Sequence, residues 1–139
     1  MITEFSLVVI SPIGEIYKNT SLQFLRLPGQ SGHIGVLPGH SSTVAHLTPG
    51  EVQVQASGDD QVTVNSFFIS ESLAYVTPNS VTIFAEFFES ADKIDSKRAQ
   101  SALDRALERL SDKNNKFNKD RAYSAMSRAK TRLEIKSSS

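Results

Sequence analysis

A chain of 139 residues without cysteine has room for one moderate core, or for one small domain with an appendage, and can build neither a disulfide framework nor a thiolate metal site. Its 15 basic and 15 acidic side chains cancel, so net charge alone points to no polyionic partner. No stretch approaches the roughly 18 uninterrupted apolar residues of a membrane-crossing helix, and no transmembrane segment is expected.

In chain order, residues 5–10 (FSLVVI) are β-branched and apolar and stop at Ser11-Pro12, the pattern of a first strand. Residues 22–27 form another, ended at Pro28-Gly29 because proline lacks the donor that a ladder needs. Gly29, Gly32, Gly35, Pro38 and Gly39 then bracket short apolar pieces, as the tight corners of a small sandwich or barrel do. Residues 43–47 form a short strand closed by Pro49-Gly50. Residues 51–55 and 61–64 alternate strictly about the turn Ser57-Gly58-Asp59-Asp60, which predicts a hairpin with Val52, Val54, Val62 and Val64 on the core face. Residues 67–69, 73–76 and 81–88 complete the run, with Pro78-Asn79 as the last turn. Short strands separated by regular turn signals predict an antiparallel β-sandwich over residues 1–88.

From Glu89 to Ala99 the periodicity changes. Ala99, Ala102, Leu103, Ala106, Leu107 and Leu110 recur three and four apart, an amphipathic helix that Asp92 or Asp95 can cap. After the polar break at 111–116, Asp120 opens a second helix with Ala122, Ala125, Met126, Ala129 and Leu133 on one face. A short connection makes the two antiparallel neighbours. The fold class is thus α+β in two segregated parts, an N-terminal antiparallel β-sandwich and, over 89–139, a C-terminal antiparallel helical hairpin.

The overall neutrality hides a polarity along these parts. Residues 1–89 carry two basic side chains, Lys18 and Arg26, against eight acidic ones, and residues 90–139 carry thirteen basic against seven acidic, about −6 and about +6. The hairpin's seam is rich in alanine, which buries one methyl at roughly 0.8 kcal/mol per buried CH₂. Lys136 and the serines after it offer nothing to bury, so the hairpin is expected to be marginally held, as a movable arm would be.

The glycine-rich stretch 29–35 lacks the Lys-Ser or Lys-Thr of a phosphate loop and a following helix, so it reads as turns. His33, His40 and His46 match no common zinc spacing, and no Gly-x-Ser-x-Gly string is present, so neither a metal site nor a catalytic constellation is expected. The basic tail leaves three readings open: solvated surface, a nucleic-acid surface or an anion site. The anion site has a geometric cue, because Arg128 and Arg132 share one face of the second helix and Arg98 and Arg105 share a face of the first.

The strings Gly32-His33-Ile34-Gly35-Val36-Leu37-Pro38-Gly39-His40 and Leu47-Thr48-Pro49-Gly50 resemble the signature loop of the epsilon subunits of F-type ATP synthases, and Ile94-Asp95-Ser96-Lys97-Arg98-Ala99 resembles that family's Ile/Leu-Asp-x-x-Arg-Ala element. The likeness spans essentially residues 2–135. It implies a non-catalytic central-stalk subunit of the proton-translocating enzyme, whose sandwich holds the gamma subunit and the membrane ring of c subunits. The hairpin would either fold on the sandwich or extend towards the alpha and beta subunits and block hydrolysis.

The resemblance further implies a ring-facing loop at Gly32, His33, Gly35, Pro38 and His40. It implies a regulatory ATP, no required cofactor, at Glu89, Asp95, Arg98, Ala99, Arg105, Arg128 and Arg132. Four guanidinium groups suit a triphosphate, whereas Glu89 and Asp95 belong on adenine, on ribose or on the arginines themselves. Two positions depart from the family: His33 stands where an acid is usual, and Ser70-Glu71-Ser72 replaces Ser-Gly-Gly. With no acid-poor amphipathic segment ahead of the first strand, the expectation is a bacterial member, peripheral on the cytoplasmic face of the inner membrane. The competing class is a free-standing anion- or nucleic-acid-binding module; no nucleic acid is expected if the resemblance holds.

Overall fold

The computed structural model describes residues 2–57, 62–112 and 118–138. Its strands are β1 (Phe5–Ser11), β2 (Gly14–Gly29), β3 (Gly32–Val36), β4 (Thr43–Leu47), β5 (Gly50–Ser57), β6 (Val62–Ile69), β7 (Ser72–Thr77), β8 (Ser80–Ala85) and β9 (Phe88–Ser90). A single 3-10 turn (Ala91–Lys93) leads into α1 (Ser96–Ser111) and α2 (Lys119–Ser138).

The long strand β2 organises the sandwich. Its first half pairs with β1 and its second half with β3 and β5, with irregular register on either side of Leu22. Because β1 also pairs with β8, the strands β1, β8, β7, β4 and β2 close into a ring, and β5, β6 and β9 continue outward from β2. Closure leaves few bare edges for foreign pairing. The expected sandwich is antiparallel throughout except at one place: β1 and β8 run parallel, from Ser6 opposite Ser80 to Ile10 opposite Phe84. Leu7, Val9, Leu22, Leu25, Leu27, Val36, Leu47, Val52, Val54, Ile69 and Ile83 fill the core.

The β5–β6 hairpin corrects the expected core set. Directly opposed residues of an antiparallel pair share a face. Val52 lies opposite Phe67 and Val54 opposite Asn65, whereas Val64 lies opposite Gln55 and Val62 opposite Ser57. Val62 and Val64 are therefore on the outer face and more than half exposed. The turn residues 58–61 lie outside the described residues. The expected single strand at 81–88 also breaks: β8 ends at Ala85, and Phe88–Ser90 pairs instead with β6. The sheet thus runs through Ser90, past the boundary expected at residue 88, and Phe88 stacks on Phe67 with ring centroids 4.5 Å apart.

Asp95, one of the two expected caps, closes the start of α1 by accepting the backbone N–H groups of Lys97 and Arg98 at 3.0 and 3.1 Å, while Asp92 lies in the 3-10 turn. At α2 the cap is Asn118, which accepts from Asp120 and Arg121, so Asp120 stands inside the first turn. Ala99 and Ala106 of α1 and Ala122 and Ala129 of α2 are buried, but Leu107 is 47% exposed. The tail is better held than its serines suggest: Ile135 is buried, and Lys136 Nζ donates to the carbonyls of Ala91 and Asp92 at 3.4 and 3.3 Å.

Helix α2 lies on the outer face of β5 and β6. There Phe68, Ala91, Ile94 and Ile135, with Phe87 beside them, form a second apolar cluster separate from the sandwich core.

Candidate functional site

Where the chain leaves the sheet, the 3-10 turn and the first turns of α1 face the middle of α2 across a cleft of about 360 Å³, within the size range of small-molecule sites. Its walls are Phe87, Glu89, Lys93, Ile94, Asp95, Arg98, Ala99, Ala102, Arg105, Arg128 and Arg132. All seven residues expected to form one site from the resemblance are among them. Helical spacing explains the convergence, since residues four or seven apart return to the same face and the hairpin turns those two faces towards each other. Lys93, Ile94, Ala102 and Phe87 are the additions. Lys93 was in plain view beside Ile94, whereas Phe87 enters only because the strand breaks at Glu86.

Five cationic side chains against two carboxylates give the cleft a charge that attracts anions. The two acids have partners inside the fold. Asp95 is spent as the α1 cap. Glu89 receives two hydrogen bonds from Arg132, Nη2 to Oε1 at 3.0 Å and Nε to Oε2 at 3.1 Å. The Arg132 guanidinium lies 4.3 Å from the ring centre of Phe68 and 5.5 Å from that of Phe87, and the guanidinium of Arg128 lies 6.0 Å from Phe87. Arg98, Arg105 and Arg128 have no ion pair among the described residues. Ile94, Ala99, Ala102 and Phe87 give the same cleft an apolar wall, so an anion with a flat apolar group fits it better than a bare ion.

The residues expected in one ring-facing loop do not form a loop. Gly32 to Gly35 belong to β3, with Gly32 and His33 next to the β2–β3 turn. Pro38 and His40 lie in a turn beyond its other end, where the Gly39 N–H donates to Pro78 O at 2.7 Å. Gly39 has φ +86°, a conformation that an L side chain rarely adopts. Gly35 sits at mid-strand over the ring of Phe24. His40 Nδ1 is 2.7 Å from Ser41 O and His46 Nε2 is 2.8 Å from Glu71 Oε1, so the three histidines serve separate places. At the Ser70-Glu71-Ser72 departure, the Phe87 N–H donates to Ser70 Oγ at 3.0 Å.

A surface that sequence reasoning missed lies on β4, β7 and β8. Val44, Leu73, Tyr75 and Phe84 are all more than 40% exposed, and Tyr75 meets Phe84 edge to face with centroids 5.6 Å apart. Val44 is opposite Tyr75 and Leu73 opposite Phe84. These strands carry apolar residues at both parities, the only signal of the patch in the sequence.

Both segments match known families: residues 4–91 match the β-sandwich domain of the ATP synthase delta/epsilon chain, and residues 92–137 its long alpha-helix domain. The ATP synthase epsilon chain of Thioalkalivibrio sulfidiphilus is 37% identical over 118 residues, 85% of this chain and 82% of that one. That of Bacillus subtilis is 34% identical over 107 residues, 77% of each chain. The chain therefore belongs to the ATP synthase delta/epsilon family. Among solved structures, a chain of the Euglena gracilis mitochondrial ATP synthase (OSCP/F1/c-ring) has a TM-score of 0.77 at 22% identity, covering 93% of this chain and 79% of that one. One from the central stalk and c-ring of the Tetrahymena thermophila enzyme has a TM-score of 0.60 at 13% identity, covering 96% of each. These two share the fold.

Proposed function

We propose that this chain is the epsilon subunit of an F-type ATP synthase, a central-stalk subunit whose sandwich assembles with gamma and the ring of c subunits. Its helical hairpin senses ATP and, when released towards alpha and beta, restrains hydrolysis. One observation carries the regulatory part: the four arginines come from two helices, and the cleft they line exists only while the hairpin is folded against the junction. A ligand of that cleft favours the folded form by its difference in affinity for the two states, and by no more than that. Arginine suits the role because its planar, permanently charged fork matches phosphate oxygens. The apolar strip of Val44, Leu73, Tyr75 and Phe84 supports a stalk-facing role for the sandwich. Among the described residues no helix is long and apolar enough to cross a membrane, and in this proposal membrane association is through the ring.

Titrating ATP into the isolated chain and into Arg98→Ala tests the sensing. Saturable binding that the substitution weakens at least tenfold is expected; no saturation at millimolar ATP would end this reading. ATP hydrolysis by the reconstituted enzyme with and without the subunit tests the restraint. A pull-down from membranes separates this proposal from a free-standing anion-binding module, which would recover neither alpha, beta nor gamma.

A further inference from the structure

The cleft's four arginines are not equivalent. Arg132 is the one held on three sides, by both oxygens of Glu89 and by the rings of Phe68 and Phe87. Its side chain is 19% exposed, and the two hydrogen bonds use the edge of the fork that would otherwise meet a phosphate. Phe68 projects from the outer face of β6, Glu89 from β9 and Phe87 from the link between β8 and β9, so the partners of Arg132 belong to the sandwich side, while Arg132 itself belongs to α2. Ile135 follows three residues later on the same helix and covers Phe68, and Lys136 reaches the carbonyls of the 3-10 turn. The contact spans sheet and helix without involving α1.

We propose that Arg132 is the latch that docks α2 on the sandwich without nucleotide. Glu89 then serves as the latch's fixed anion. The arrangement divides labour between two states. Among the described residues Arg98 and Arg105 on α1 have no ion-pair partner, so they can answer a bound anion, whereas Arg132 holds the platform on which that anion would assemble them. A planar fork stacked on a ring and doubly bonded to a carboxylate also depends on shape, so lysine, a point charge, should not replace it.

This proposal rests on the hairpin's being releasable, but not on its binding ATP, and its test is therefore made on the full chain without nucleotide. Hydrogen exchange of the α2 amides reports undocking, because a helix without its apolar platform opens readily. Arg132→Ala should speed that exchange at least tenfold, and Arg132→Lys should behave like the alanine variant. Lys130→Ala, which removes an exposed cation of the same helix outside the cleft, should leave the exchange unchanged. Amides of β1 and β8 report whether the sandwich itself stays folded. Should Arg132→Ala lose that protection as well, Glu89→Gln decides by the same readout, with acceleration of α2 alone expected. Exchange at the parent rate in Arg132→Ala, or restoration by Arg132→Lys, would overturn the latch. A chain that docks through Arg132 yet binds no ATP would refute the sensing and leave the latch standing.

Discussion

Ile135 of α2 closes over Phe68 of β6, and neither side chain belongs to the core of the sandwich. Phe67 and Ile69 point inward on either side of Phe68, which points out and is nevertheless fully buried. The helix, with Ala91, Ile94 and Phe87 around the same ring, explains that burial. A chain ending at Ala91 keeps β9 and the Tyr17–Phe67–Phe88 ring cluster, so it should fold and join the stalk complex. It should also expose Phe68 and bind a hydrophobic dye more strongly than the full chain, with Ile135→Ala intermediate at a docking cost of about 2 kcal/mol. Dye fluorescence and a thermal melt check this. Equal dye binding by full and shortened chains would mean that α2 does not cover the ring in solution.

The fold's parts were legible because each announces itself locally: period two in the strands, period three to four in Ala99, Ala102 and Ala106, and turn chemistry at Pro78-Asn79. What failed depends on distant partners. Whether Val62 and Val64 face in or out follows from their register with Gln55 and Ser57, which alternation alone cannot set. The parallel pairing of β1 with β8 joins strands far apart in the chain, and no local pattern marks it. In the cleft, the arginines could be placed by helical spacing, whereas the grip of Glu89 on Arg132 requires the position of β9 beside β6.

Asp95 offers a way to separate a structural acid from one that touches a ligand. Its Oδ1 accepts two backbone N–H groups at the start of α1, and losing such a cap costs about 1 kcal/mol. Asp95→Ala should therefore lower the helix signal and melt the hairpin earlier, while Asp95→Ser should keep most of both. Circular dichroism melts report the difference. If the serine variant is capped but loses nucleotide binding, Asp95 contacts the ligand as well.

Gly35 has no left-handed backbone to protect, and its reason is space. A Cβ there would stand 3.3 Å from Cε2 of Phe24, a half-buried ring that must give way. Gly35→Val should lower the sandwich's melting temperature by several degrees, since roughly 1 kcal/mol moves a domain of this size by about 4 °C. It should also weaken recovery of the stalk complex more than His33→Ala does, because His33 is exposed beside a turn. A larger loss from His33→Ala would assign the ring contact to the histidine side chain.

The cleft's chemistry makes a last prediction about how its cations share an anion. Arg105 comes from α1 and Arg128 from α2, and neither has an acid partner among the described residues. A hydrogen bond to a charged group contributes about 1.5–3 kcal/mol, so Arg105→Ala and Arg128→Ala should each weaken ATP binding by roughly ten- to a hundredfold. Because each helix supplies one side of the cleft, the two losses should couple. Removing either arginine weakens the bridge between the helices, and the double variant should lose less than the sum of the two in free energy. Adding salt should weaken the parent most, since it has the most exposed charges to screen. Calorimetric titration of the four proteins at two ionic strengths measures both effects. Strictly additive losses would mean that the arginines bind the phosphates independently and that the ligand does not tie the hairpin together.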